Sequence, residues 1–196
     1  MAMTSQNQRG IMNKQNIDYR IKKVLYTQEE IEAKIKELAT WVNQQYKDSD
    51  NLIIVGLLKG SIPFLAQLIK DITVDHVLDF MTTSSYAGAG NSSGSVKIIM
   101  DLAQDIRNKD VLIVEDIIDS GITLDKIKQI LLSRKPRSFK IITLLDKPHN
   151  RKVELKADKS AFIVPNEFLV GFGLDYDEKM RNLPYIGIFD KKYLKK

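Results

Sequence analysis

The chain has 196 residues, 43% of them hydrophobic and 28% charged, with a net charge of +5 at pH 7. That size and balance fit one soluble globular domain with a substantial core. There is no cysteine, which excludes disulfides and thiolate metal sites and fits a reducing compartment.

The opening "MAMTSQNQRGIMNKQNID" has no apolar centre of the kind a secretory signal needs. The longest apolar run, "LIIVGLL", is far short of the roughly 20 residues that cross a bilayer. A cytoplasmic protein without membrane contact is therefore expected. The positive charge fits either nucleic acid or a phosphate-rich small ligand. No basic run is interleaved with aromatic residues, and much of the excess lies in the terminal "KKYLKK", which weighs against nucleic acid.

Residues 1–17 are polar, rich in Gln and Asn, and without periodicity, and read as a disordered tail. Residues 18–196 read as one domain. In "TQEE", Thr27 and Glu30 have capping-box spacing, and Ile31, Ile35, Leu38 and Val42 follow on one helical face, with Trp41 at its edge. "NLIIVGLLKGSIPF" reads as a strand buried on both faces, a turn, and a helix opening at Pro63. "TVDHVLDFMTT" predicts another strand. "SSYAGAGNSSGS", residues 84–95, has eight Gly or Ser among twelve and reads as a slack connection or a mobile lid.

"VKIIMDL" predicts a strand with Val96, Ile98 and Met100 alternating. "VLIVEDIIDSGITL" then supplies a strand over Val111–Val114, a loop, and a helix with Leu124, Ile127, Ile130 and Leu131 on one face. "RKPRS" breaks that helix, and "FKIITLL" is the next strand. Recurring strand–helix–strand units predict a parallel α/β sheet flanked by helices. From about residue 161 the rhythm changes to short strands ("AFIV", "FLVGFGL", "YIGIF"). These predict a small hood subdomain over about 161–190, with an N-terminal contribution, on a core of about 28–160.

In such a sheet, ligands sit at the carboxyl ends of strands, which points to the loop after Val114. Amide N–H groups of Ser120, Gly121, Ile122 and Thr123 at a helix start would converge on an anion. Neither a Walker loop nor GxGxxG after a strand is present. Three carboxylates beside an anion cradle make sense for a ligand with unlike ends. Glu115 and Asp116 could accept hydrogen bonds from a ribose diol or reach a divalent cation, while the next turn holds the 5′-phosphate. Asp119 would lie near the reacting part. The plainer alternative is that these acids decorate a helix N-terminus, favourable by about 0.3–1 kcal/mol.

"VEDIIDSGITL" closely resembles the 5-phosphoribosyl-1-diphosphate (PRPP) motif of the type I phosphoribosyltransferases, specifically the hypoxanthine-guanine branch. "VGLLKGSIPF", "SSY", "LLDKP" and "VPNEFLVGFGLDYDEKMRNLPYIG" resemble its bacterial members in the same order, over about residues 20–190. The resemblance implies the type I fold, purine salvage, and Mg²⁺-dependent transfer of phosphoribose from PRPP to a 6-oxopurine with release of pyrophosphate.

Carried over by position, Glu115 and Asp116 would bind ribose hydroxyls or Mg²⁺, and Asp175 a second Mg²⁺. Asp119 would accept a proton near N7, and residues 120–123 would hold the 5′-phosphate. Leu58, Lys59 and Gly60 would form the pyrophosphate loop, where the family often has a cis peptide, and Arg181 would contact pyrophosphate. Lys147 would donate to the 6-oxo group. Phe168 would stack on the base, with Leu169 offering backbone groups. Ser85 and Tyr86 would begin the closing loop.

The resemblance also implies a homo-oligomer, dimer or tetramer. Other members of the fold usually carry paired Asp where this chain has Glu-Asp, and the chain departs from the family in having Phe172 where Tyr is commoner. Two other readings stay open: an RNA-binding regulator on this fold, and a non-catalytic metabolite-binding module.

Overall fold

The computed structural model describes residues 17–85 and 96–195. Strands β2 (Leu52–Leu58), β3 (His76–Ser85), β4 (Val96–Met100), β5 (Asp110–Ile118), β6 (Ser138–Asp146) and β7 (Lys159–Ile163) form one sheet in the order β4-β3-β2-β5-β6-β7. Every pairing is parallel except β3 with β4. A second sheet joins β1 (Ile21–Tyr26), β9 (Ile186–Phe189) and β8 (Leu169–Val170) in antiparallel order β1-β9-β8.

Two central strands are apolar because helices cover both their faces. Leu52 and Ile54 of β2 face helices α1 (Gln28–Gln45) and α2 (Ile62–Leu68), in a cluster with Ile31, Ile35, Leu38 and Phe64. Ile53 and Val55 face α3 (Ile122–Ser133) through Ile127 and Leu131. The predicted capping box opens α1: the Glu30 amide donates to Thr27 Oγ1 at 3.3 Å, and the Thr27 amide to Glu30 Oε2 at 2.9 Å. Trp41 is partly buried against the same cluster. Pro63 stands in the first turn of α2, where its missing amide hydrogen costs nothing.

Four expectations change. β5 runs on to Ile118, because the ladder to β6 continues through Glu115↔Thr143 and Ile118↔Asp146; the carboxylates end the apolar pattern but not the backbone pairing. "AFIV" is not part of the hood, since it lies in β7 of the large sheet, with Phe162 stacked on Tyr26 at 3.9 Å. Met100 is exposed while Val96 and Ile98 pack inward, because the register shifts beside Thr82 and Thr83. Ile130 is half-buried, whereas Leu124, Ile127 and Leu131 are buried.

One strand went unforeseen. β1, "IKKVLY", carries two lysines that mask its alternation, and only pairing with β9 shows it. Among the described residues no helix is long and apolar enough to cross a membrane.

Candidate active site

The carboxyl ends of β2 and β5 lie side by side, and the first loop to follow is tight. The Leu58–Lys59 peptide is cis. A Cβ on Gly60 would stand 1.6 Å from Asp116 Oδ2, and one on Gly173 would stand 1.9 Å from the Gly60 carbonyl. Gly173 also has φ +100, a left-handed conformation that disfavours any side chain. The β2 loop is thus clamped between an acid of β5 and the 171–174 turn, with no room for a methyl on either facing residue.

At the end of β5 the chain turns into α3 through Gly121, at φ +79. A Cβ there would meet Arg151 Cδ at 2.9 Å. Glu115, Asp119, Ser120, Gly121 and Thr123, with Ile117, Ile118 and Leu124, line an open cavity of about 240 Å³. The first amides of α3 have no partners within the helix and carry the positive end of its dipole. Acceptors and donors therefore share one cavity.

The two acids of β5 are poorly compensated. Glu115 Oε2 is buried without a hydrogen-bond partner among the described residues. Burial, then the neighbouring Asp116 charge, raise the Glu115 carboxyl well above its ordinary range. Asp116 is pushed up to about 6 by burial, against the pull of the Ile117 amide and the Arg181 charge. The Ile117 amide donates to Asp116 Oδ1 at 2.8 Å.

Asp119 is held from the other side. Lys147, buried at the end of β6, places Nζ 3.3 Å from Asp119 Oδ2, and the Asn150 amide donates to Oδ1. Arg151 donates through NH1 to the Asp119 carbonyl at 2.7 Å and through NH2 to the Asp146 carboxylate. The Lys152 amide donates to the Ser120 carbonyl at 2.9 Å. The segment 147–152 therefore braces the whole 119–121 turn.

Asn150, Arg151 and Asp146 were not foreseen from sequence. The available signal was Pro148 after a strand end, which starts the short 3₁₀ turn Pro148–Asn150 and folds the next residues back.

Arg181 is pinned on the opposite side. Its NH1 donates to the Gly173 carbonyl at 2.8 Å and its NH2 to Glu178 Oε1 at 3.1 Å, while NH2 also forms an ion pair with Asp175 Oδ1 at 2.9 Å. Its Nε is buried and unpartnered among the described residues. Lys59 donates to Glu178 Oε2 at 2.6 Å. Glu178, also unforeseen as part of the site, has its carboxyl lowered first by the Lys59 hydrogen bond and charge, then by Arg181.

Phe168 stands apart from these contacts, its half-exposed ring edge-on to Tyr176 and Phe189, both at 5.9 Å. Leu169 is buried in β8. Phe172 is buried too, with φ +46. Only the backbone of Ser85 is described, and Tyr86 lies outside the described residues, as do 87–95 and 1–16.

A sequence model of the phosphoribosyl transferase domain matches residues 23–177. A hypoxanthine-guanine phosphoribosyltransferase of Lactococcus lactis is 51% identical over 177 residues, covering 90% of this chain and 96% of the relative. A hypoxanthine phosphoribosyltransferase of Escherichia coli is 50% identical over 165 residues, covering 84% and 93%. Among solved structures, the hypoxanthine phosphoribosyltransferase of Staphylococcus aureus is similar with a TM-score of 0.86 at 46% identity, covering 90% and 96%. That of Trypanosoma cruzi, in complex with the product IMP, has a TM-score of 0.86 at 35% identity, covering 91% and 99%.

Proposed function

The chain belongs to the phosphoribosyltransferase family, and from that premise we propose that it moves the 5-phosphoribosyl group of PRPP to N9 of hypoxanthine or guanine, releasing pyrophosphate. The observation that carries this reading is the β5–α3 corner. Glu115, whose Oε2 has no donor among the described residues, and the Ser120–Thr123 turn at the start of α3 line one cavity, matching a ligand with a diol at one end and a phosphate at the other.

The ribose hydroxyls donate to Glu115 and Asp116, and the 5′-phosphate accepts from residues 120–123. Loss of pyrophosphate leaves positive character on the sugar, which the acids favour. The negative charge on the leaving group falls to Lys59, Arg181 and the amides of the Leu58–Gly60 loop.

The purine lies on Phe168, its edge met by the backbone of Leu169, and its 6-oxo group accepts from Lys147. As Lys147 turns to that oxygen it releases Asp119 Oδ2, while Asn150 keeps Oδ1. Asp119 then has a free oxygen for the proton near N7. Adenine offers a 6-amino group that cannot accept from Lys147, and is rejected.

Magnesium fits the acids present. Glu115 Oε2 is buried with no donor among the described residues, and Asp116 beside it is raised by burial, so a cation would compensate both. Among the described residues no group of three or more His, Cys, Asp or Glu side chains is placed to hold a metal ion. Glu115 and Asp116 would hold one ion and Asp175 a second, supplying positive charge beside the sugar and the leaving pyrophosphate. The family also implies a homo-oligomer in the cytoplasm, for which sedimentation velocity measures the first part.

The test is product formation from PRPP and Mg²⁺ with hypoxanthine, guanine, xanthine, adenine and uracil in turn. Nucleotide and pyrophosphate are expected with 6-oxopurines, and comparable turnover of adenine would refute the role of Lys147. Asp119→Asn is expected to lower kcat by about 10²–10⁴-fold with little change in the KM for PRPP. Turnover within about tenfold of the parent would remove Asp119 as proton acceptor.

A further inference from the structure

Lys59 and Arg181 share one carboxylate, that of Glu178, and Arg181 NH2 also pairs with Asp175 Oδ1 at 2.9 Å. Glu178 Oε2 accepts from Lys59 Nζ at 2.6 Å, and Glu178 Oε1 accepts from Arg181 NH2 at 3.1 Å. One oxygen goes to each cation. The two cations come from different parts of the chain, the end of β2 and the segment before β9, and Glu178 bridges them as a small anion would.

The backbone holds that carboxylate in place. Tyr176 and Lys179 exchange two amide–carbonyl bonds, each 3.1 Å, and between them Asp177 and Glu178 have φ +55 and +61. That is the geometry of a two-residue type I′ turn, whose central positions favour Asn, Asp and Gly. Turn chemistry accounts for Asp177. It does not select a glutamate at the second position, whereas the side-chain bridge gives one a purpose. The Glu178 amide is tied to Asp175 Oδ2 at 2.9 Å, which fixes the turn against the loop that carries Arg181.

We infer that Glu178 is an internal stand-in for pyrophosphate. Its two oxygens hold the cation pair in the free protein, and the diphosphate end of PRPP, or pyrophosphate itself, displaces them on binding. This rests on the reading above that Lys59 and Arg181 receive the pyrophosphate group. The stand-in keeps two long side chains aimed at one point while lowering net affinity for the anion, so that the product leaves more readily. Lys59 and Glu178 are largely exposed, so each contact is a modest one.

The experiment is calorimetric titration of the full chain with magnesium pyrophosphate. Glu178→Gln is expected to tighten binding about three- to tenfold, as the exposed pair with Lys59 and the less exposed pair with Arg181 are released, Arg181 keeping its contact with Asp175. Asp177→Asn is the control. It removes the same charge one residue away, but Asp177 bonds to Lys195 Nζ at 2.7 Å and not to the cation pair, so a change below about twofold is expected. In a Lys59→Met background the gain from Glu178→Gln should shrink, because one of the two released cations is gone.

Unchanged or weaker binding by Glu178→Gln overturns the inference, and so does an equal effect of Asp177→Asn. Should Lys59→Met and Arg181→Met both leave the parent affinity intact, pyrophosphate lies elsewhere. That result removes the premise, and it is read without any variant of Glu178.

Discussion

The two ends of β5 treat their carboxylates in opposite ways. At its start, Asp110 is surrounded by donors. Arg137 reaches it through Nε at 3.1 Å and NH2 at 2.7 Å, Ser49 Oγ at 2.6 Å and Ser138 Oγ at 2.7 Å. The Arg137 hydrogen bond, with help from the serines, holds that carboxyl far below the usual range against the opposing effect of burial. Near the end of β5, Glu115 has a buried oxygen with no donor among the described residues and Asp116 is raised to about 6. One strand thus carries an acid surrounded by donors and two that the described residues compensate poorly, Glu115 Oε2 having no donor and Asp116 the neighbouring Ile117 amide. Uncompensated polar groups are rare in native interiors and gather where a ligand supplies the compensation. On the function proposed above, the contrast separates a stabilising end of the sheet from a working end.

The largest effect that could break this contrast is on turnover. Replacing Glu115 by Gln and Asp116 by Asn together is expected to lower kcat/KM by about 100-fold or more, while raising the midpoint of thermal unfolding at neutral pH. A double variant less stable than its parent would show that the fold itself needs those charges.

Next in size is Asp110→Ala. It strands Arg137, Ser49 and Ser138 and is expected to cost about 2–4 kcal/mol in urea unfolding. Its kcat/KM should stay within about twofold of the parent, because the change lies at the far end of the strand; a larger loss would mean the two ends are coupled.

The smallest effect is in the pH dependence of stability, where the two ends have opposite signs. Asp110 has a folded-state pKa below its ordinary value. Its contribution is present above the ordinary carboxylate range and is lost as the pH falls below it. Asp116 has a folded-state pKa raised from 3.8 to about 6. The folded protein binds that proton more tightly than the unfolded chain, so stability from this group is complete below 3.8 and lost as pH rises through about 6. At roughly 1.4 kcal/mol per unit, the loss is of the order of 1–3 kcal/mol. Unfolding of Asp116→Asn between pH 4 and 7 should show a flatter decline than the parent, and an unchanged slope would remove burial as the cause.

Local chemistry made much of this legible in advance. The capping box at Thr27, the apolar run of β2, the Pro63 helix start and the Gly121 turn each depend on residues a few positions apart, and their spacing is enough to identify them. The acids 115, 116 and 119 before a helix start were readable for the same reason. What hid from the sequence were contacts between segments far apart along the chain. β1 exists because β9 pairs with it, and β5 outruns its apolar pattern because β6 continues beside it.

By itself the sequence determined the α/β class, the family, and the strand-to-helix corner on which the proposed anion site rests. The tertiary structure alone decided that Asn150 and Arg151 fold back onto Asp119, that Gly60 and Gly173 leave no space for a methyl, and that Glu178 spans two cations. The reason is physical. Propensity and periodicity are set by neighbours along the chain, whereas a buried charge takes its partner from whichever segment the packed sheets bring to it.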